Sequence, residues 1–131
     1  MPRAIEDALL TVTRALPTSD GTVTSDDIDL GIKPGDLEAY EFEVELPALT
    51  ATLLPNADTL TITLQTGDAP APTSSSGQVV VITGTGSTIA AQKIRFKVPS
   101  DKIKRYNNVK FVAAGGTGNM SGVSAKFKVL T

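Results

Sequence analysis

A period of two residues is what most narrows the folds open to this chain. From Ala39 to Leu49 the sequence alternates, with Tyr40, Phe42, Val44 and Leu46 on one side of an extended strand and Glu41, Glu43 and Glu45 on the other. Aromatic and β-branched residues at that spacing mark a strand buried on one face. Thr59 to Thr66 repeats the pattern, with Leu60, Ile62 and Leu64 set against threonines. So does Gln92 to Val98, where Ile94, Phe96 and Val98 oppose Lys93, Arg95 and Lys97. Val109 to Ala113 and Gly122 to Leu130 complete the set, the latter with Val123, Ala125, Phe127 and Val129 against Lys126 and Lys128. Val79-Val80-Val81-Ile82 is an unbroken apolar run and predicts a strand covered on both faces. Val23 to Leu30 is a weaker strand, and Pro47 predicts an edge or a bulge at the end of its own strand.

Turn chemistry separates these segments. Lys33-Pro34-Gly35-Asp36 has the residues of a tight turn. Asp68 to Gly77, rich in Pro and Ser, predicts an exposed and mobile loop. Gly115 to Asn119 predicts a hairpin joining the last two strands. Helix is confined to Pro2–Leu10, with Ile5, Ala8 and Leu9 at helical spacing, and to one turn at Ser100–Lys104. Many short strands with polar connections predict an all-β, antiparallel sandwich, with the jelly roll as the leading arrangement. The chain has 131 residues, enough for one domain. It divides into an N-terminal arm over residues 1–22, extended or a short helix, and a single sandwich over 23–131.

Composition excludes several chemistries. The sequence holds no Cys and no His. Disulfides, thiolate metal sites and every His-dependent catalytic triad are therefore out. No apolar run reaches the ~18 residues of a membrane helix. Glu6 and Asp7 interrupt what would be the apolar part of a secretory signal.

Three motifs invite chemical readings. Gly84-Thr85-Gly86-Ser87 resembles a phosphate-binding turn, but Ile89 stands where a third glycine belongs and no helix pattern follows. Asp20, Asp26, Asp27 and Asp29 could offer oxygens to calcium, without the spacing of a known loop. Glu41, Glu43 and Glu45 form a single row, whereas an acid/base pair needs two contrasting environments. The simpler readings are an inter-strand turn and solvated acidic strands, with no cofactor.

Charge is segregated along the chain. Residues 1–91 sum to −10 and residues 92–131 to +8, under a net charge of only −2. The acidic row Glu41, Glu43, Glu45 has the same spacing as the basic rows Lys93, Arg95, Lys97 and Lys126, Lys128. Opposite charges on neighbouring strands stabilise a sheet by ~0.2–1 kcal/mol per pair. Pairing within the fold or between like subunits is the leading expectation, ahead of a protein partner. Nucleic acid ranks last, because stacking aromatics are scarce.

Three stretches, in order, resemble a known family. They are Ile28-Asp29-Leu30-Gly31; Leu60 to Thr66; and Lys104-Arg105-Tyr106 followed by Val109-Lys110-Phe111, a glycine-rich turn and a final alternating strand. Residues 23–131 resemble the small structural proteins of tailed bacteriophages encoded beside the major capsid protein, nearest to the cement proteins of the Bordetella phage type. The Pro/Ser-rich loop at 68–77 departs from that pattern. The resemblance implies a jelly-roll decoration protein on the outer surface of the phage head, made in the host cytoplasm. Its expected partners are the major capsid protein and further copies of itself, as a dimer or trimer, with no nucleic acid and no membrane. Ile5, Leu9 and Leu10 of the arm, together with Glu41, Glu43, Glu45, Lys93, Arg95 and Lys97, are the candidate interface residues. The alternative reading is a carbohydrate- or receptor-binding sandwich of a phage tail or fibre, and a small sandwich enzyme ranks behind it.

Overall fold

The computed structural model describes residues 11–18, 20–30, 39–116 and 118–130. Among these residues nine strands carry the fold: β1 (Thr11–Ala15), β2 (Thr22–Thr24), β3 (Ile28–Asp29), β4 (Ala39–Leu46), β5 (Thr59–Gly67), β6 (Ser75–Thr83), β7 (Gln92–Pro99), β8 (Tyr106–Ala114) and β9 (Ser124–Val129). They form two antiparallel sheets. One runs in the order β1-β9-β4-β7; the other runs β2-β8-β5-β6, with β3 also paired to β8. The protein is an all-β sandwich. The only helical element among the described residues is a 3-10 turn at Ser100–Lys102, so no described helix could cross a membrane.

The two-residue period decides which side chains fill the layer between the sheets. Phe42, Val44 and Leu46 of β4 point inward with Phe96 and Val98 of β7 and with Ala125, Phe127 and Val129 of β9. Leu60, Ile62 and Leu64 of β5 meet them from the other sheet, beside Val109, Phe111 and Ala113 of β8. Ile28 of β3 and Leu16, Leu49, Leu54, Ile103 and Met120 of the connections complete the buried core. Phe42 and Phe127 stack with ring centroids 5.6 Å apart and planes inclined by 20°. A fully buried side chain of this size contributes roughly 1.5–3 kcal/mol.

Several local expectations change. The apolar run in β6 is not covered on both faces, because β6 is an edge strand with Val79 51% and Val81 56% exposed. Four β-branched residues in succession carry no mark of which two face outward. Gly115 to Asn119 does not make a hairpin, since β8 and β9 belong to different sheets. Local turn chemistry reports a reversal but not the sheet that the chain enters next. Residues 11–15, assigned to the arm, form β1 and pair with β9 from Thr11↔Lys128 to Ala15↔Ser124. Val23 to Leu30 divides into β2 and β3, both on β8, with a break at Ser25–Asp27. Strand β4 is interior, and Pro47 follows its last paired residue, Leu46 opposite Gln92.

The loop after β5 is exposed yet tied down. The Thr66 N–H donates to the Ser74 carbonyl (3.0 Å), Gln65 Nε2 to the Thr73 carbonyl (3.1 Å) and the Ala71 N–H to Asp27 Oδ2 (2.7 Å). The helix expected at Pro2–Leu10 and the turn at Lys33–Asp36 lie outside the described residues.

Replacing Phe127 by Ala removes half of the stacked pair. The expected loss is about 3–5 kcal/mol in denaturant unfolding, a large part of the ~5–15 kcal/mol typical of a domain. A loss below about 1 kcal/mol would contradict the placement of this ring in the core.

Candidate interaction surfaces

The outer face of β1-β9-β4-β7 holds the charged rows. Pairing of β4 with β7 sets Glu41 opposite Lys97, Glu43 opposite Arg95 and Glu45 opposite Lys93. Pairing of β4 with β9 sets Glu43 opposite Lys128 and Glu45 opposite Lys126. The acidic strand thus lies between two basic ones. Six of the candidate interface residues are brought together here; Ile5, Leu9 and Leu10 lie outside the described residues.

Glu43 is the centre of this face. One carboxylate oxygen, Oε2, accepts from Arg95 Nε at 3.2 Å, and Lys128 Nζ stands 3.4 Å from Oε1. The side chain of Glu43 is 3% exposed, against 59% for Arg95 and 30% for Lys128. Its two long neighbours lie over it and keep their charged ends wetter. A nearly buried carboxylate is tolerated because each oxygen has its own cation. Around this clasp, Lys93, Lys97 and Lys126 have no ion pair within 4 Å among the described residues. Five cations and three carboxylates leave this face with a small positive excess.

The four aspartates that could offer oxygens to calcium do not form a metal-binding group. Asp20 Oδ1 accepts from the Gly115 N–H at 3.2 Å. Asp27 is a strut: Oδ1 accepts from Asn108 Nδ2 (3.0 Å), while Oδ2 takes the Ala71 N–H. Asp29 receives the Arg105 guanidinium through two bonds, Nε to Oδ1 at 2.7 Å and Nη2 to Oδ2 at 3.0 Å. Hydrogen bonding to Asp29 raises the Arg105 pKa above its ordinary value, and the guanidinium also lies 5.0 Å above the Tyr106 ring. No group of three acidic side chains among the described residues could hold a metal ion.

The Gly84–Ser87 segment also has a structural role. A Cβ at Gly84 would run into the Pro55 carbonyl oxygen, so glycine is needed there for the close approach of the 54–58 loop. Strand precedes this turn, but no helix follows it to present N–H groups to a phosphate. A cleft of about 460 Å³ opens beside Asp26, Asp27, Gln65, Asn108 and Lys110. Its lining has no aromatic ring on which a sugar could stack. Sequence reasoning missed the Arg105–Asp29 clamp, because those residues lie 76 positions apart and neither belongs to a row.

Truncating either cation of the clasp alone should be mild, since Glu43 keeps the other. Arg95→Ala and Lys128→Ala are each expected to cost about 0.5–1 kcal/mol, and the double variant about 3 kcal/mol, more than the sum. Strictly additive losses in a denaturant double-mutant cycle would contradict a shared, buried Glu43.

No family model matches the chain, and no curated protein matches it. Among solved structures, the chain is similar to part of an arabinose-bound MgGH51 α-L-arabinofuranosidase, at 19% identity and TM-score 0.47, over 90% of this chain and 18% of that one. It is also similar to part of a structure of infectious bursal disease virus, Gt strain, at 10% identity and TM-score 0.43, over 91% of this chain and 27% of that one. The chain therefore spans less than a third of the length of either.

Proposed function

We propose that this chain is a structural protein that binds the outer surface of a tailed-phage head and cements neighbouring capsomers of the major capsid protein. The observation that carries the reading is the salt-linked face of β1-β9-β4-β7. An extended sheet face with charges in fixed rows suits contact with another protein surface, where complementary charge sets register and selects the partner. Lys93, Lys97 and Lys126, which have no ion pair among the described residues, give it an excess of positive charge to set against an acidic patch. The order of motifs along residues 23–131, with its likeness to phage cement proteins, supplies the identity of the partner. We read the sandwich as a jelly roll, supported by the facing strand orders β1-β9-β4-β7 and β2-β8-β5-β6. An adhesive role also suits the carboxylates: Glu43, Asp27 and Asp29 are all engaged in bonds that hold the fold.

The test uses heads of the parent phage assembled without this chain. Purified protein should pellet with them at a fixed, saturable ratio to the capsid protein. Binding should weaken by about tenfold or more between about 50 and 500 mM salt, because exposed charges beyond a few ångströms are screened. Failure to pellet with heads would overturn the proposal, and glycan binding without head binding would replace it with the receptor-binding reading.

A further inference from the structure

Among the described residues the two sheets end in four edges, and three of them are blunted. Strand β1 has five residues and carries Arg14, while β2 and β3 have three and two residues. Strand β7 carries Lys93, Arg95 and Lys97 and ends in Pro99. Charge, proline and short length are the usual protections against unwanted strand pairing. Strand β6 is different: nine residues, no charge, no proline, and, among the described residues, paired with β5 alone.

Both ends of β6 are closed off. At its start, pairing with β5 steps from Thr63↔Val79 to Gln65↔Ser75, leaving a bulge at residues 76–78. Gly77 adopts φ +96° there, and the N–H groups of Gly77 and Gln78 donate to the hydroxyls of Ser75 (3.0 Å) and Ser76 (3.4 Å). Beyond its end, Gly84 turns into the 54–58 loop, donating to the Asp58 carbonyl (2.8 Å) and accepting from the Ala57 N–H (3.0 Å). Between these lies a regular ladder, Val79 to Thr83, whose midpoint is Val81. Val79 and Val81 are the two large hydrophobic residues exposed among those described.

We infer that this edge is a homodimer seam, in which β6 of one copy pairs antiparallel with β6 of a second copy about a twofold axis at Val81. Symmetry of the ladder favours a second copy. Pairing about Val81 sets Val81 on Val81, Val79 on Thr83 and Val80 on Ile82, so outward residues meet outward residues and inward meet inward. Charge favours it too. A neutral strand on a neutral strand has no clash, whereas β1 or β7 of another copy would bring Arg14 or the Lys93, Arg95, Lys97 row against valines. The adjoining outer face is uncharged as well: Thr59, Thr61 and Thr63 of β5 lie beside β6, and the nearest cation on β8 is Lys110. Five paired residues bury less than the ~1,000 Å² of a stable interface, so the dimer is weak alone and gains from the high local concentration of an assembled array. The seam does not rest on the capsid reading, and either can fail without the other.

The absence of cysteine makes the test clean. Facing Cα atoms in an antiparallel ladder lie ~4.5–5.5 Å apart, within the ~4.4–6.8 Å span of a disulfide. Full-length Val81→Cys at about 100 µM should oxidise to a covalent dimer at least tenfold faster than Val79→Cys, whose thiols would stand roughly 13 Å apart. Sedimentation of the unmodified chain up to about 1 mM should show a monomer–dimer equilibrium. Val81→Lys should abolish it without changing the circular dichroism melt, because that side chain projects to solvent. Equal cross-linking of the two cysteine variants, a monomer at every concentration, or a dimer that survives Val81→Lys would overturn the inference.

Discussion

The apolar layer between the two sheets is the constraint on which the rest depends. It requires every long strand to place alternate residues inward, and so it sets the register of each pairing. A slip of one residue in β4 would turn Glu41, Glu43 and Glu45 into the core and Phe42, Val44 and Leu46 into water. Burying unpaired carboxylates would cost far more than the few kcal/mol that separate folded from unfolded chain. Charged residues in alternation with core residues therefore come out in straight rows. The ordered outer face of β1-β9-β4-β7 is a consequence of the core, not an independent design.

Charge segregation along the sequence becomes adjacency in space. Strand β4 belongs to the acidic part of the chain, and β7 and β9 belong to the basic part. Antiparallel pairing lays the first between the other two, and Glu43 is the point where both contacts close. Such a cluster adds little stability at its exposed ends, where water competes for the charges. Its larger effect is on specificity: any other neighbour for β4 would leave a buried carboxylate unpaired. The same rows that stabilise the sheet supply its surplus of lysines, so the residues that fix the register also set the charge of the outer face.

Legibility in the sequence followed how local each signal is. Strands β4, β5, β7, β8 and β9 were readable because alternation records which face is buried. The pairing of glutamates with the basic rows was readable because matching spacing restricts how they can meet. Strand β1 was not, since Thr11-Val12-Thr13-Arg14-Ala15 contributes little to the core and its place depends on β9. The exposure of β6 was hidden, because Val79 and Val81 look like core residues until the order of the strands puts them at an edge. Asp27 and Asp29 were visible as acids but not as structural ties, because their partners Ala71 and Arg105 are brought near only by the folded chain.

The most direct test of the proposed contact face is lysine footprinting on protein mixed with phage heads. Acylation of the free and bound chain, read by mass spectrometry at each lysine, separates the two outer faces. Docking through β1-β9-β4-β7 predicts that binding protects Lys93, Lys97 and Lys126 while Lys110, on the opposite sheet, stays reactive. Protection confined to Lys110, or unchanged reactivity at all four, would contradict it.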